Sequence, residues 1–522
     1  MRRLESRPSN RGPGRACLLA TFLVAMLTPG AAWAQLWAGY GSDPQHTCQS
    51  GVASQLPGKV LWHMPVDLNP PFSGNDLFIH YASPVITRKN TVIITVRGTA
   101  TNPNAFQFKA VRGSTGAALW TNPLTTDYVL PPHNWIPICG PTLVSGGVQL
   151  AVPGAGGTVY LRAYPDRSTG VVSQVAFYGN TIYANHAAAL KSSIFICTPI
   201  TCDAQGNLYF GFAVPTASGV AGAPAAGGLA RISSTGVGSF ITAADASGDA
   251  NMQKVVLNCA PALSNDGKTV YVAVNNGGYG YLVALDSQTL SKATAKRKLL
   301  KDPRTDRNTN AFIADDGSGT PTVGPDGDVY FGVLEDSLYD HHGRGWLLHF
   351  SGDLATTKTP GSFGWDDTAS IVPASAVPQY TGTSSYLVLT KYNDYSDAAV
   401  GGSGQNKLAI LDPNDTMNDP ISGNTALVMK EVITVLGPTP NVGQAGVREW
   451  CVNSAAVDTV NKCAVVNSED GSMYRWDFTT NTLTAKVVLA AATGEAYTPT
   501  VIGPDGAVYA INRAVLNCVV KK

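Results

Sequence analysis

The sequence predicts an all-β protein folded as a single eight-bladed β-propeller. Three observations carry that prediction: a hairpin motif that recurs along the chain, the near-constant spacing of its copies, and an outer-strand sequence stranded at the N-terminal end. The motif is clearest at residues 319–333, where a short strand leads into Pro325-Asp326-Gly327 and out into a second strand. Pro325 presets φ for the turn, Asp326 can bond its own backbone, and Gly327 tolerates positive φ. Beyond it Val329, Phe331 and Val333 share one face, with Tyr330 on the other. Residues 498–509 nearly copy it, 198–210 and 260–271 are close relatives, and 140–150 and 83–93 are degenerate versions.

The repeat prolines stand at 84, 141, 199, 261 and 321, spacings of 57, 58, 62 and 60 residues. Those intervals are long for a four-stranded blade and imply decorated loops. A sixth blade is expected from Thr368, with strands at 385–390 and 407–411; a seventh uses 451–457, 462–467 and 472–477; an eighth starts at Thr498. Seven blades is the fallback if the sixth and seventh are wrongly divided. The last repeat has only three strands, while Lys59–Pro65 resembles the outer strand that ends the first repeat. An N-terminal strand completing the last blade closes the ring and removes exposed edges.

Composition agrees. The 522 residues include 54 Gly and 33 Pro but only 14% charged residues, as suits a turn-rich β protein, and the repeat overrides the length-based expectation of several domains. Residues 1–34 read as an export signal: arginines, the apolar run Cys17–Leu27, and the small-x-small end Ala32-Trp33-Ala34. The run is short for a membrane span. The expected mature domain is 35–522, periplasmic or secreted, with 31 basic against 35 acidic residues. It offers no basic stripe to nucleic acid, and no segment after the signal approaches the length of a membrane span.

Eight cysteines remain after the signal, an even count that permits disulfides in an oxidising compartment. Cys48 and Cys518 would be neighbours if the N-terminal strand completes the last blade, and a bridge there would staple the ring. Cys197 and Cys202 are spaced for a local bridge, while Cys139, Cys197 and Cys259 share one register. There is no Cys-x-x-Cys, hence no covalent haem and no thiolate zinc knuckle.

The pattern Pro-Thr-Val-x-x-Asp-Gly-x-Val-Tyr, with Gly113-Ser-Thr-Gly-Ala-Ala-Leu-Trp120 and the Trp37-x-x-x-Gly41-x-Asp43-Pro-Gln-His-Thr47 run, resembles the PQQ-type (quinoprotein alcohol dehydrogenase-like) β-propeller repeat over essentially the whole mature chain. The resemblance implies four antiparallel strands per blade around a channel, with Trp62, Trp120 and Trp476 tying blades together. It says little about activity, because such folds host unrelated functions. Quinone dehydrogenases of this superfamily hold the cofactor on the axis against a vicinal disulfide, a stacking Trp and calcium. This chain has no adjacent cysteines, so PQQ is expected less than a metal.

If each repeat proline lies early in an innermost strand, the residues before it face one end of the channel. That places His80, His133, His186, Asp315, Asp316, Asp366, Asp367, Arg448, Glu449 and Glu495 on one mouth, with Tyr392 and Asn393 in an adjoining loop. Of the eight histidines, five (these three with His341 and His342) map to this face. His80, His133 and His186 are the metal-ligand candidates: converging neutral imidazoles suit a transition metal, and the acidic arc suits Ca2+. The bland alternative is a polar rim whose histidines bond loop backbones. No complete catalytic signature stands out, so a binding or scaffold protein in the cell envelope is the leading expectation, probing a small molecule, an extracellular polymer or an envelope protein, as a monomer. The alternatives are a metal-assisted secreted enzyme (lyase, hydrolase or oxidase) and a PQQ-dependent dehydrogenase.

Overall fold

The structure is a computed structural model that describes residues 35–522 apart from 75, 76, 78, 133–138, 316, 318, 336–342, 397–401, 422–425, 451, 452 and 492–496. Eight antiparallel sheets form the blades of a β-propeller. Blade 1 begins at Val85–Ile86, blade 2 at Thr142–Val144, blade 3 at Thr201–Cys202 and blade 4 at Ala262–Leu263. Blades 5 to 8 begin at Thr322–Val323, Ser370–Pro373, Ala456–Asp458 and Val501–Ile502. In each, the repeat hairpin makes the first two strands, and Gly327 holds its turn at φ 91°.

Closure follows the expected route. Lys59–Pro65 pairs antiparallel with Val515–Val520 and supplies the fourth strand of blade 8. Trp62 then donates its indole N–H to the Gly113 carbonyl of blade 1 at 2.7 Å, and Trp120 donates to Pro165 of blade 2 at 2.8 Å. Trp476 differs: its indole bonds Asn481 within its own blade. The repeat tyrosine takes the inter-blade role elsewhere. Tyr209 donates to Ser287 carbonyl (3.0 Å), Tyr271 to Gly352 carbonyl (2.7 Å), and the Tyr330 and Tyr386 hydroxyls meet at 2.6 Å. In blades 3 to 5 a phenol long enough to leave its own sheet bonds the next blade, worth about 1 kcal/mol per bond.

Blade 6 departs from expectation. Its third strand runs Lys407–Asn418 and is followed by Leu427–Leu436. The strand expected over 407–411 thus runs on past an irregularity between Asp412 and Thr416 while the pairing continues. The prolonged hairpin packs Met417, Ala426 and Val428 against the core of blades 4 and 5. Its Asp419 pairs with the buried Arg344 of blade 5 at 2.7 Å.

The Cys48–Cys518 bridge is not formed. Cys48 lies on the inside of the ring, its thiol toward the His46 carbonyl and beside Ser454 and Ser370, whereas Cys518 lies in the second strand from the outside of blade 8, beside Tyr509 and Gly113. Completing the blade brings Lys59–Pro65, not Cys48, to Cys518. Cys197 and Cys202 are also free, as is every other described cysteine. No described helix is long and apolar enough to cross a membrane.

Candidate functional site at the channel mouth

The floor of the site is built by a segment that reads as irregular in sequence. Residues 37–50 run around the inside of the ring and bond the innermost strands in turn. Trp37 exchanges both backbone bonds with Ile86 of blade 1, and Ala38 carbonyl accepts from Leu143 of blade 2. Pro44, Gln45, Thr47 and Cys48 carbonyls then accept from Leu263, Val323, Ile371 and Val457 of blades 4 to 7, at 2.7–3.0 Å. Such winding needs left-handed residues, and Gly41, Ser42, His46 and Cys48 all have positive φ. Asp43 fastens the coil by accepting from the Gln45 and Thr47 amides (3.1 and 3.0 Å) and the Thr47 hydroxyl, and burial raises its carboxyl. His46 donates from Nδ1 to Pro321 carbonyl at 2.8 Å, and burial lowers its pKa to about 4. The Trp37-to-Thr47 motif was the available signal for this arrangement.

On this floor sits a cluster of charged side chains. Tyr40 reaches up to the Thr368 hydroxyl (2.8 Å) and to Asn453, and the Thr368 amide donates to the Asn453 carbonyl at 2.8 Å. Just before Thr368 come Asp366 and Asp367. Asp366 Oδ1 lies 4.0 Å from Nδ1 of His80, which leads into blade 1, and its Oδ2 lies 3.9 Å from Lys391 Nζ. His80 stacks on Tyr497, which leads into blade 8, with ring centres 4.6 Å apart. Asp367 accepts from the Thr390 hydroxyl and, at 3.3 Å, from the Lys391 amide. Burial pushes its carboxyl up to about 7; the Lys391 ammonium opposes that rise and the Asp366 charge adds to it. His80 is fully buried, and Asp367 and Lys391 are each 2% exposed. His80 and Asp366 belong to blades 1 and 6, with blades 7 and 8 between them, so their contact closes over the axis. Asp366 (φ 54°) and Asn258 (φ 67°) both hold left-handed backbone at this mouth, a conformation that Asn and Asp tolerate best.

The other candidates fall elsewhere. Asp315 is held by Lys254 Nζ (2.6 Å), the Leu257 amide (3.1 Å) and Asn275 (3.2 Å), and joins loops of blade 4. Arg448 pairs with Glu469 at 3.5 Å, and Glu449 is 8% exposed. Tyr392 is a core residue beside Phe363 and Leu411 rather than a mouth residue, because its strand extends through it and turns the ring inward. Asn393 clasps Trp450, donating to its carbonyl (3.3 Å) and accepting from its amide (3.2 Å). His186 is exposed on a helix, Asn180–Lys191, inserted between blades 2 and 3. Alternating β patterns leave such an insertion out of register with the mouth, so the expected imidazole array does not form from His80 and His186. His133, Asp316, Glu495, His341 and His342 lie outside the described residues. Among the described residues no group of three His, Cys, Asp or Glu side chains is arranged to hold a metal ion.

The chain is an eight-bladed β-propeller with a buried charged cluster on its axis. Among solved structures it is similar to the quinohemoprotein alcohol dehydrogenase from Comamonas testosteroni, with a TM-score of 0.52 and 11% identity over 95% of this chain and 82% of that one. The computationally designed Ika8 protein gives a TM-score of 0.46 at 10% identity, over 89% of this chain and 99% of that one. At such identities the first likeness establishes the fold and nothing about activity. No protein-family profile and no curated protein matches the sequence.

His80 and Asp366 meet over the axis, so a flat multi-ring cofactor bound between them would have to part them.

Proposed function

We propose that this propeller is an exported binding protein whose channel mouth recognises a small polar molecule bearing hydroxyl or carbonyl groups. The observation that carries the reading is the contact of Asp366 with both His80 and Lys391, three charge-capable groups from separate segments gathered over the axis. Burying such groups costs free energy unless they are paired. A mouth that pairs them with one another presents a ligand with an ammonium donor, carboxylate acceptors and, in Asp367, a carboxyl near its midpoint at neutral pH. Export is supported by the arginine-rich, apolar and small-x-small succession of residues 1–34.

Calorimetry of the purified chain against monosaccharides, polyols and hydroxycarboxylates tests the binding reading. Saturable heat with one of them, weakened about tenfold or more in Asp366→Asn, supports it; the substitution keeps the side-chain shape and the left-handed backbone, and tenfold corresponds to about 1.4 kcal/mol. Absence of saturable binding across that set, or unchanged affinity in the variant, overturns it. Elemental analysis separates the metal-assisted enzyme: about one transition-metal ion per chain, lost in His80→Ala, would move the assignment there. Amino-terminal sequencing of protein from a periplasmic fraction tests export, with Gln35 as the expected first residue.

A further inference from the structure

Blade 4 carries a second surface feature that the axial site does not use. Its outer strand, Lys296–Leu299, and the two residues after it read Lys296-Arg297-Lys298-Leu299-Leu300-Lys301: four cations and no acid in six positions, within a mature chain of net negative charge. The other outer strands hold at most one Lys or Arg each: Lys59, Lys358, Lys430 and Lys486 on blades 8, 5, 6 and 7, and none on blades 1 to 3. Lysines do protect exposed sheet edges from pairing, but seven edges here are protected without such a run. Lys296, Arg297 and Lys301 are exposed; Lys298 reaches the Ala355 carbonyl of blade 5 at 3.4 Å, while Arg297, one position along the strand, turns to the opposite face beside Gly248, so the cations line both sides of the strand edge. The cations nearby are already committed: Lys292 to Asp245 at 2.6 Å, and Arg304 to Asp306 and Glu335 at 2.7 and 2.9 Å. Asp353 lies near Lys296, and Asp249 is shared by the hydroxyls of Tyr279 and Tyr281 at 2.9 and 3.2 Å.

At the end of this strand opens a groove of about 510 Å³, lined by Tyr279, Lys301, Asn308, Thr309, Asn310 and Phe312. It is therefore large enough for a sugar residue or more. Its chemistry combines one cation, two amides, a hydroxyl and a tyrosine ring. Amides and hydroxyls match sugar hydroxyls, the ring offers a face to pack on, and the cation matches a carboxylate.

We infer that the groove at Lys301 and the adjoining Lys296-Arg297-Lys298 edge form a docking surface for an anionic polysaccharide with uronate-type carboxylates. The charge run from Lys296 to Lys301 covers about 17 Å at strand spacing, the reach of a few sugar units. A nucleic-acid duplex would need a longer basic track.

The test uses the full chain and a galacturonate hexamer, with its methyl ester as the neutral reference, followed by calorimetry at low and physiological salt. The expected result is saturable binding of the acid form, at least about tenfold weaker for the ester, and weaker at higher salt. The variant Lys296→Gln/Arg297→Gln/Lys298→Gln/Lys301→Gln loses at least about tenfold in affinity, while Lys486→Gln on blade 7 does not. Protection of Lys301 from acylation by bound hexamer, read by mass spectrometry, gives the same answer without any substitution. No binding, equal binding of acid and ester, or equal affinity in the fourfold variant overturns the proposal. Tighter binding of a single-stranded oligodeoxynucleotide than of the hexamer overturns it in favour of nucleic acid. The axial variant Asp366→Asn leaves hexamer binding unchanged, so this site fails or stands independently of the mouth.

Discussion

At the scale of single residues, two buried titrating groups tilt stability in opposite directions. Asp367 has its carboxyl pushed up to about 7 by burial. A raised acid binds more protons folded than unfolded between about pH 4 and 7, so its stabilising contribution is full at low pH and is lost as pH rises through 7. Replacement by Asn, which still accepts from Thr390 and the Lys391 amide, removes that loss: the melting temperature of Asp367→Asn, relative to the parent, rises from pH 4 to pH 8. A constant difference would show that Asp367 ionises normally. His46 behaves in reverse, its pKa lowered to about 4 by burial. The unfolded chain takes up a proton near pH 6.5 that the native ring refuses, so stability is intact above 6.5 and falls as pH drops toward 4. His46→Asn, suited to φ 60°, shows a shallower acid-side decline in thermal melts; an equal slope would refute the assignment. Both residues were visible in sequence, but only Asp367 was singled out. Nothing in the local pattern shows that His46 is enclosed, because its burial comes from strands far along the chain.

At the scale of elements, the repeat hairpins were legible because each turn is specified within a few residues: Pro presets φ, Asp bonds the turn amides, Gly takes the left-handed position, and alternation sets the inward face. The axial coil of residues 37–50 was not, since its backbone bonds go to six separate strands, of blades 1, 2 and 4 to 7, rather than to a neighbour. It behaves as a core element. Gly41 stands at φ 63°, and a Cβ there would lie 2.7 Å from the Cα of His46. Gly41→Ala is expected to cost at least about 2 kcal/mol in denaturant titration; a cost within about 0.5 kcal/mol would mean the coil is peripheral. The hairpin of blade 6 makes the same point from the other side. Its third strand, expected over 407–411, continues to Asn418, with Met417 and Val428 packed onto blades 4 and 5.

At the scale of the molecule, closure by Lys59–Pro65 makes the first and last blades one cooperative unit. Trp62 joins them through Gly113 and packs against Tyr509. Trp62→Ala is expected to lower stability by about 2–3 kcal/mol in a single shifted transition; a separate early transition would show blade 8 unfolding alone. Cysteine chemistry gives a second whole-molecule test. The described thiols are free, and all but Cys202 are buried. Labelling by a thiol reagent therefore proceeds slowly in the native chain and releases the thiols only on unfolding, without reductant; a requirement for reductant would restore the bridge.

The amino-acid sequence by itself determined the repeat, the number of blades, the closing strand and the face on which His80, Asp366 and Asp367 lie, because turn chemistry, period-two alternation and repeat spacing are local properties. Only the tertiary structure decided which of the mouth residues meet. His80 and Asp366 are separated by 286 positions in the chain, and their contact depends on how three intervening blade junctions curve the ring. It also decided that Asp315 is spent on Lys254, that Tyr392 turns into the core, that Cys48 and Cys518 stay unbridged, and that the lead-in segment bonds the innermost strands. Each of these follows from the assembled ring, whose curvature and inter-blade packing no single repeat contains.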